Sequence, residues 1–170
     1  MFWFTVVILA VAAERVVELV VSRRHLRWAR AHGGIEYGRG HYPFMVTVHV
    51  GLLGGALAEV WLAGRPFLPA LGVPMLVLVL AAQVLRWWCV YTLGPRWNTL
   101  VVIVPGLPLV RSGPYRWLRH PNYVAVVVEG LALPLVHTAW VTALLFAVAN
   151  AAVLAVRIRV ENTALAAVGT

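Results

Sequence analysis

Five long apolar segments divide the sequence, and they constrain the fold more than any other feature. A helix needs roughly 20 apolar residues to cross the hydrocarbon core of a bilayer. Hydrophobic residues make up 62% of the chain, well above the usual share in a soluble domain. We therefore predict an all-α, polytopic integral membrane protein with a single membrane domain over residues 1–170. The predicted transmembrane segments are residues 2–21, 43–62, 67–93, 122–136 and 139–156.

The arginine residues predict how these segments are oriented. All 14 basic residues are arginine, and they concentrate in the stretches 22–42 and 94–120 and after residue 156. Because basic residues favour the cytoplasmic side, we expect an outside N-terminus and a cytoplasmic C-terminus. The chain is rich in arginine, alanine, valine and glycine, which indicates a GC-rich bacterial genome, and we therefore expect the bacterial inner membrane. The net charge of +8 is spread between apolar segments rather than on one face. We therefore expect membrane lipids as neighbours and no nucleic-acid partner.

The fourth and fifth segments are joined by only a few residues, which predicts an antiparallel helical hairpin. Such a hairpin brings residues 115–123 close to residues 157–165. We accordingly predict that residues 94–121 and 157–165 form one cytoplasmic site. Cys89 is the only cysteine, and the six histidines show no metal-ligand spacing, so we expect no metal.

The sequence "GPYRWLRHPNY", residues 113–123, combines two prolines with several charged and aromatic side chains. Pro121 suits the first turn of a helix, where its missing N–H costs nothing. Arg119 and His120 then lie at a helix N-terminus, whose free N–H groups favour anions. The alternative interpretation is a set of arginine and aromatic anchors at the membrane interface.

This block, together with "RIRVEN" at residues 157–162, resembles the isoprenylcysteine carboxyl methyltransferase family of integral membrane enzymes. The resemblance implies S-adenosylmethionine as the cofactor and a lipophilic acceptor with a prenyl or alkyl chain. Asn98 either contacts the cofactor or caps a loop. Ala125 and Asn162 depart from the common family pattern, and "RWN", "GRGHYP" and "EN" resemble a bacterial subgroup that O-methylates alkylpyrones and alkylresorcinols. The predicted cofactor-binding residues are Asn98, Tyr115, Arg119, His120, Pro121, Tyr123, Glu161 and Asn162.

Arg157 and Glu161 are the predicted catalytic residues. They are four residues apart and share one helix face. Arginine before glutamate is the weaker order for an ion pair, and a carboxylate near a helix C-terminus opposes the dipole. This favours function over simple pairing. We expect Arg157 to stabilise the developing oxyanion, and Glu161 either to receive the proton or to face the sulfonium.

Four further residues are candidates for binding the acceptor. Glu129 lies about 12 Å along its helix from the first turn, and it either lines an acceptor pocket or forms a buried interhelical hydrogen bond. His41 and His49 face a cavity or serve in packing. Trp87 belongs either to an aromatic interface belt or to a wall of the site. Arg15 and Glu18, three residues apart, are expected to neutralise each other.

Two other functions compete with the methyltransferase. A sterol-type NADPH reductase of the membrane also carries "RHPNY", but its usual Y-x-G-E continuation is replaced here by Ala125 and Val126. A lipid-binding or transport protein would more naturally contain inverted repeats and broken helices in both halves. The polar residues instead concentrate in the second half of the chain.

Overall fold

A computed structural model describes residues 1–167, which form a bundle of five α-helices. Three helical stretches, Arg39–Leu62, Pro69–Arg96 and Trp140–Ala167, are long and apolar enough to cross a membrane. The all-α membrane fold is thus confirmed, whereas the count of five spans stays a prediction, and residues 168–170 of the predicted domain lie outside the described residues. The helices are α1 (Phe2–Ala31), α2 (Tyr42–Leu62), α3 (Pro69–Leu93), α4 (Pro121–Leu135) and α5 (Trp140–Ala167).

The first helix continues ten residues beyond its predicted apolar segment. Residues 22–31 contain arginine, leucine and alanine, which are good helix formers. This extension is also held by tertiary contacts, since Ser22 and Ala29 are buried. The helix ends before Gly33, which has a positive φ of 76°. The arginine-rich stretch is therefore half helix rather than a loop.

A small antiparallel sheet, which the sequence did not predict, joins the segment between α1 and α2 to the segment between α3 and α4. Strand β1 (Ile35–Tyr37) pairs with β2 (Val101–Ile103). Burial acts to raise the pKa of the Glu36 carboxyl, but hydrogen bonds from Arg39 and Arg30 outweigh it and hold that pKa below its usual value. The sheet closes the end of the bundle where α1, α3 and α5 end and α2 and α4 begin. We call this the charged end.

At the opposite end, a carboxylate fixes where α5 begins. Glu59, in the last turn of α2, accepts hydrogen bonds from the backbone N–H groups of Val141 and Thr142 at 3.2 and 2.8 Å, and from the Thr142 hydroxyl at 2.8 Å. A carboxylate at a helix N-terminus satisfies free N–H groups and complements the dipole. Arg65 pairs with the same carboxylate at 2.8 Å. These contacts set the position of α5 against α2.

Close packing of α4 against α5 predicts the effect of a glycine substitution. A Cβ on Gly130 would lie 1.9 Å from a ring carbon of Phe146. We expect Gly130→Ala to lower the free energy of unfolding by about 1–3 kcal/mol, because overpacking forces neighbouring side chains to move. Thermal unfolding in detergent micelles measures this loss of stability. Gly51→Ala is the control, since its Cβ would meet nothing within 4 Å, and an equally stable Gly130→Ala protein would contradict this packing.

Candidate functional site

A cavity of about 650 Å³, lined by charged and polar as well as apolar side chains, lies at the charged end, between the connection after α3 and the ends of α4 and α5. We call it the polar cavity. Seven of the eight predicted cofactor-binding residues line it. Pro121 does not line the cavity; it is buried in the first turn of α4, where it starts the helix. The seven residues are Asn98, Tyr115, Arg119, His120, Tyr123, Glu161 and Asn162.

The hydroxyl of Tyr123 connects the two predicted catalytic residues. Arg157 Nε donates to the Tyr123 oxygen at 2.9 Å, and the Tyr123 hydroxyl donates to Glu161 Oε2. The His120 ring stacks on the Tyr123 ring with centroids 5.3 Å apart, and its Nδ1 lies 3.6 Å from Glu161 Oε1. The hairpin thus brings residues 115–123 and 157–165 together. Arg157 and Glu161 are connected through the Tyr123 hydroxyl rather than by a direct ion pair.

Arg157 is buried, but one of its nitrogens has only a weak partner. Its Nη1 lies 2.9 Å from the sulfur of Met45 across the bundle. A thioether sulfur is a weak acceptor. A charged donor therefore remains available beside Tyr123 for an oxygen atom of a ligand.

Tyr115 lies in the 3-10 turn Gly113–Arg116, ahead of α4. Burial, with the neighbouring Cys89 thiol and the Glu161 carboxylate, raises the pKa of the Tyr115 hydroxyl well above its ordinary value. Tyr115 is consequently a neutral hydrogen-bonding group rather than an anion. The exposed Arg119 supplies positive charge to the same cavity.

A second, mainly apolar cavity of about 310 Å³ extends from the polar cavity into the bundle. Side chains of α1, α2, α4 and α5 form most of its walls, including Leu19, Val50, Val126 and Leu154. Five residues line both cavities and so form a shared wall: Trp97, Asn98, Asn122, Tyr123 and Arg157. A group in either cavity can therefore contact the Tyr123–Arg157 pair.

The shared wall contains two buried polar atoms that lack hydrogen bonds. Within residues 1–167, the side-chain oxygen of Asn122 and the indole nitrogen of Trp97 have no partner. Buried polar groups are nearly always paired, and leaving one unpaired costs roughly 1–3 kcal/mol. Asn98 differs, because it accepts a hydrogen bond from the Ser22 hydroxyl at 2.7 Å and holds the loop against α1. The wall thus offers one acceptor and one donor for a ligand.

The four acceptor candidates occupy different places. His49 lines the apolar cavity, whereas His41, Trp87 and Glu129 line neither cavity. Trp87 donates a hydrogen bond to the Glu14 carboxylate on α1. His41 belongs to the turn before α2.

Glu129 takes part in a buried ionic cluster rather than in a cavity wall. It accepts hydrogen bonds from Arg86 at 2.9 Å and from Arg15 at 3.2 Å. The predicted contact between Arg15 and Glu18 is present at 2.8 Å, but Glu18 also lies 3.4 Å from Arg86. We call these four residues the ionic cluster. Both arginines line the apolar cavity, so Glu129 acts on that cavity through them.

Sequence reasoning missed three residues of the cavity walls. Asn122 and Trp97 lie within the recognised motifs "GPYRWLRHPNY" and "RWN", but which of their atoms lack a hydrogen-bond partner depends on the fold. Asn150 had a signal in the sequence, because it is an amide within the apolar segment 139–156. A polar residue inside a membrane helix usually faces the bundle or a cavity. Asn150 is 3% exposed and lines the apolar cavity.

Comparison with known proteins finds one family and two relatives. The model of the isoprenylcysteine carboxyl methyltransferase (ICMT) family matches residues 75–167. An uncharacterized protein of Bacillus subtilis strain 168, YpbQ, is 41% identical over 166 residues, which cover 97% of this chain and 96% of the relative. An uncharacterized protein of Haemophilus influenzae is 28% identical, with the same coverage of both chains. No solved structure matches this chain.

Proposed function

Because this chain belongs to the isoprenylcysteine carboxyl methyltransferase family of membrane methyltransferases, we propose that it moves a methyl group from S-adenosylmethionine to an oxygen of a lipophilic acceptor. One observation carries the proposal: a polar and an apolar cavity share the wall that contains Tyr123 and Arg157. A polar cofactor and a lipophilic acceptor need cavities of these two characters. Methyl transfer also needs them to meet at one point.

The residues of the polar cavity fit the cofactor. S-adenosylmethionine supplies a methyl group bound to a positively charged sulfur. Its other groups are a carboxylate, an ammonium, a ribose and an adenine. Arg119 and the α4 N-terminus suit the carboxylate, the Glu161 carboxylate suits positive charge, and Tyr115 and Trp97 suit the adenine. The unpaired atoms of Trp97 and Asn122 provide further hydrogen bonds.

Arg157 and Tyr123 would bind the acceptor oxygen. A carboxylate is already ionised at neutral pH, whereas a phenol has a pKa near 10 and needs a base or electrostatic help. Arg157 can stabilise the negative oxygen in either case. For a hydroxyl acceptor such as an alkylpyrone or alkylresorcinol, the hydrogen-bonded path through Tyr123 to Glu161 carries the proton away.

The arginine distribution supports an orientation with the charged end in the cytoplasm, and the arginine-, alanine-, valine- and glycine-rich composition supports a bacterial inner membrane. The polar cavity would then face the compartment that contains the soluble cofactor. The apolar cavity would lie within the depth of the bilayer, where a lipophilic acceptor is concentrated.

Ligand binding in micelles tests the cofactor assignment. We expect S-adenosylhomocysteine to raise the unfolding temperature, because a ligand at 100 times its Kd stabilises the folded state by about 2.7 kcal/mol. NADPH should have no effect. Arg119→Ala should weaken binding, while the control Arg159→Ala, exposed and outside both cavities, should not.

Two outcomes would contradict this proposal. Stabilisation by NADPH alone would indicate a reductase, and stabilisation by neither ligand would indicate a lipid-binding or transport protein. Mass spectrometry of host lipids with and without the gene then identifies the acceptor, as a species heavier by one methyl group.

A further inference from the structure

The apolar cavity contains a polar group that the transfer chemistry does not use. The Asn150 side chain lines this cavity and is 3% exposed. Among residues 1–167, its amide has no hydrogen-bond partner. An amide without a protein partner in an apolar surrounding costs free energy. A bound ligand can supply the missing partner.

His49 lies on the helix that faces Asn150. Its ring packs edge-on against Phe146 with centroids 5.8 Å apart, and Phe146 is one turn before Asn150 on α5. His49 Nδ1 is 2.8 Å from the Met45 carbonyl. Because a carbonyl only accepts, Nδ1 carries the proton and Nε2 of the neutral ring is an acceptor. No group in the described part of the chain donates to Nε2.

The charges beside these two residues are balanced. Arg15 and Arg86 line the same cavity, but the carboxylates of Glu18 and Glu129 hold them at 2.8–3.4 Å. Glu14 lies 3.5 Å from Arg15 as a further anion, so these two cations do not require an anionic ligand. A hydroxyl group fits better, because it can donate its hydrogen to His49 Nε2 and accept a hydrogen bond from the Asn150 amide N–H.

The position of Asn150 on α5 gives the distance between the bound hydroxyl and the oxygen that is methylated. It precedes Arg157 by seven residues on α5, which is roughly 10 Å along the helix. We propose that the acceptor carries, roughly 10 Å from the oxygen that is methylated, a neutral hydroxyl that Asn150 and His49 bind. This inference rests on the proposed function, since it assumes that the methylated oxygen lies beside Arg157.

Paired probes test the inference by binding, without the need for turnover. The probes are a long-chain fatty acid and its mid-chain hydroxy derivative, and an alkylphenol and its mid-chain hydroxy derivative. In nanodiscs, the hydroxy member of at least one pair should bind roughly five- to tenfold more tightly, as expected for one net hydrogen bond. Asn150→Leu should remove this preference. The control Leu154→Val, in the same cavity, should weaken both members equally.

A second measurement separates ligand binding from a structural role. Asn150→Leu should raise the unfolding temperature of the ligand-free protein, because leucine has a similar size and no unpaired amide. A lower unfolding temperature would mean that Asn150 has a structural partner, and would overturn the inference. Equal binding within both pairs, binding of no probe, or a preference that survives Asn150→Leu would overturn it too. Loss of S-adenosylhomocysteine binding alone would count against the proposed function instead.

Discussion

Glu161→Gln should reduce methyl transfer by about 10²–10⁴-fold, the usual contribution of a positioned proton acceptor, while the protein stays folded. Glutamine keeps the size of the side chain and can still accept the hydrogen bond from Tyr123. It removes the negative charge beside His120 and Arg157. The side chain is 30% exposed at the mouth of the polar cavity, so its loss of charge should cost little stability.

The measurement is the initial rate at which a labelled methyl group enters host lipid extract. Glu36→Gln is the control, since Glu36 is a carboxylate at the same charged end, is paired with Arg30 and Arg39, and lines neither cavity. If Glu161 receives the proton, S-adenosylhomocysteine affinity is kept and kcat falls. If Glu161 holds the cofactor, the affinity falls as well. Full activity in the variant would remove Glu161 from the chemistry.

The helices were predictable because each depends on a local property of the sequence. Length and apolar content located all five segments, and Pro121 marked the start of α4. The β1–β2 pairing was not predictable, because each strand has three residues and gains its stability from a partner more than sixty residues away. The helical extension 22–31 was also missed, because its charge suggested a connection.

The site was predictable in its position more than in its bonding. The short hairpin was enough to predict that residues 115–123 and 157–165 meet. It could not reveal that the Tyr123 hydroxyl lies between Arg157 and Glu161, because that depends on how α4 and α5 rotate about their axes. For the same reason, the sequence could not show that Asn122 and Asn150 line the cavities. Which polar atoms remain unpaired is decided only when all helices are packed.

Glu129→Leu should be the most destabilising single change in the chain, with a loss of about 3–5 kcal/mol. The variant leaves Arg86, which is 5% exposed, with Glu18 at 3.4 Å as its remaining carboxylate partner among the described residues. Arg15 keeps both Glu18 at 2.8 Å and Glu14 at 3.5 Å, so the loss falls mainly on Arg86. An uncompensated charge in an apolar interior costs far more than a lost surface pair. Glu129→Gln should be milder, because the amide oxygen still accepts a hydrogen bond. Val127→Ala, half-exposed on the same helix, is the control.

The double variant Glu129→Leu with Arg86→Met distinguishes charge balance from simple packing. It removes Glu129 together with Arg86, the arginine that loses most of its pairing in the single variant, and Arg15 stays paired with Glu18 at 2.8 Å and Glu14 at 3.5 Å. Replacing a whole buried pair by apolar side chains is often neutral or even stabilising. The double variant should therefore be more stable than Glu129→Leu, as measured by unfolding in micelles through a double-mutant cycle. Purely additive losses would mean that Glu129 stabilises α4 by packing alone. Because neighbouring carboxylates neutralise Arg15 and Arg86, both arginines can line the apolar cavity without an anionic group on the acceptor.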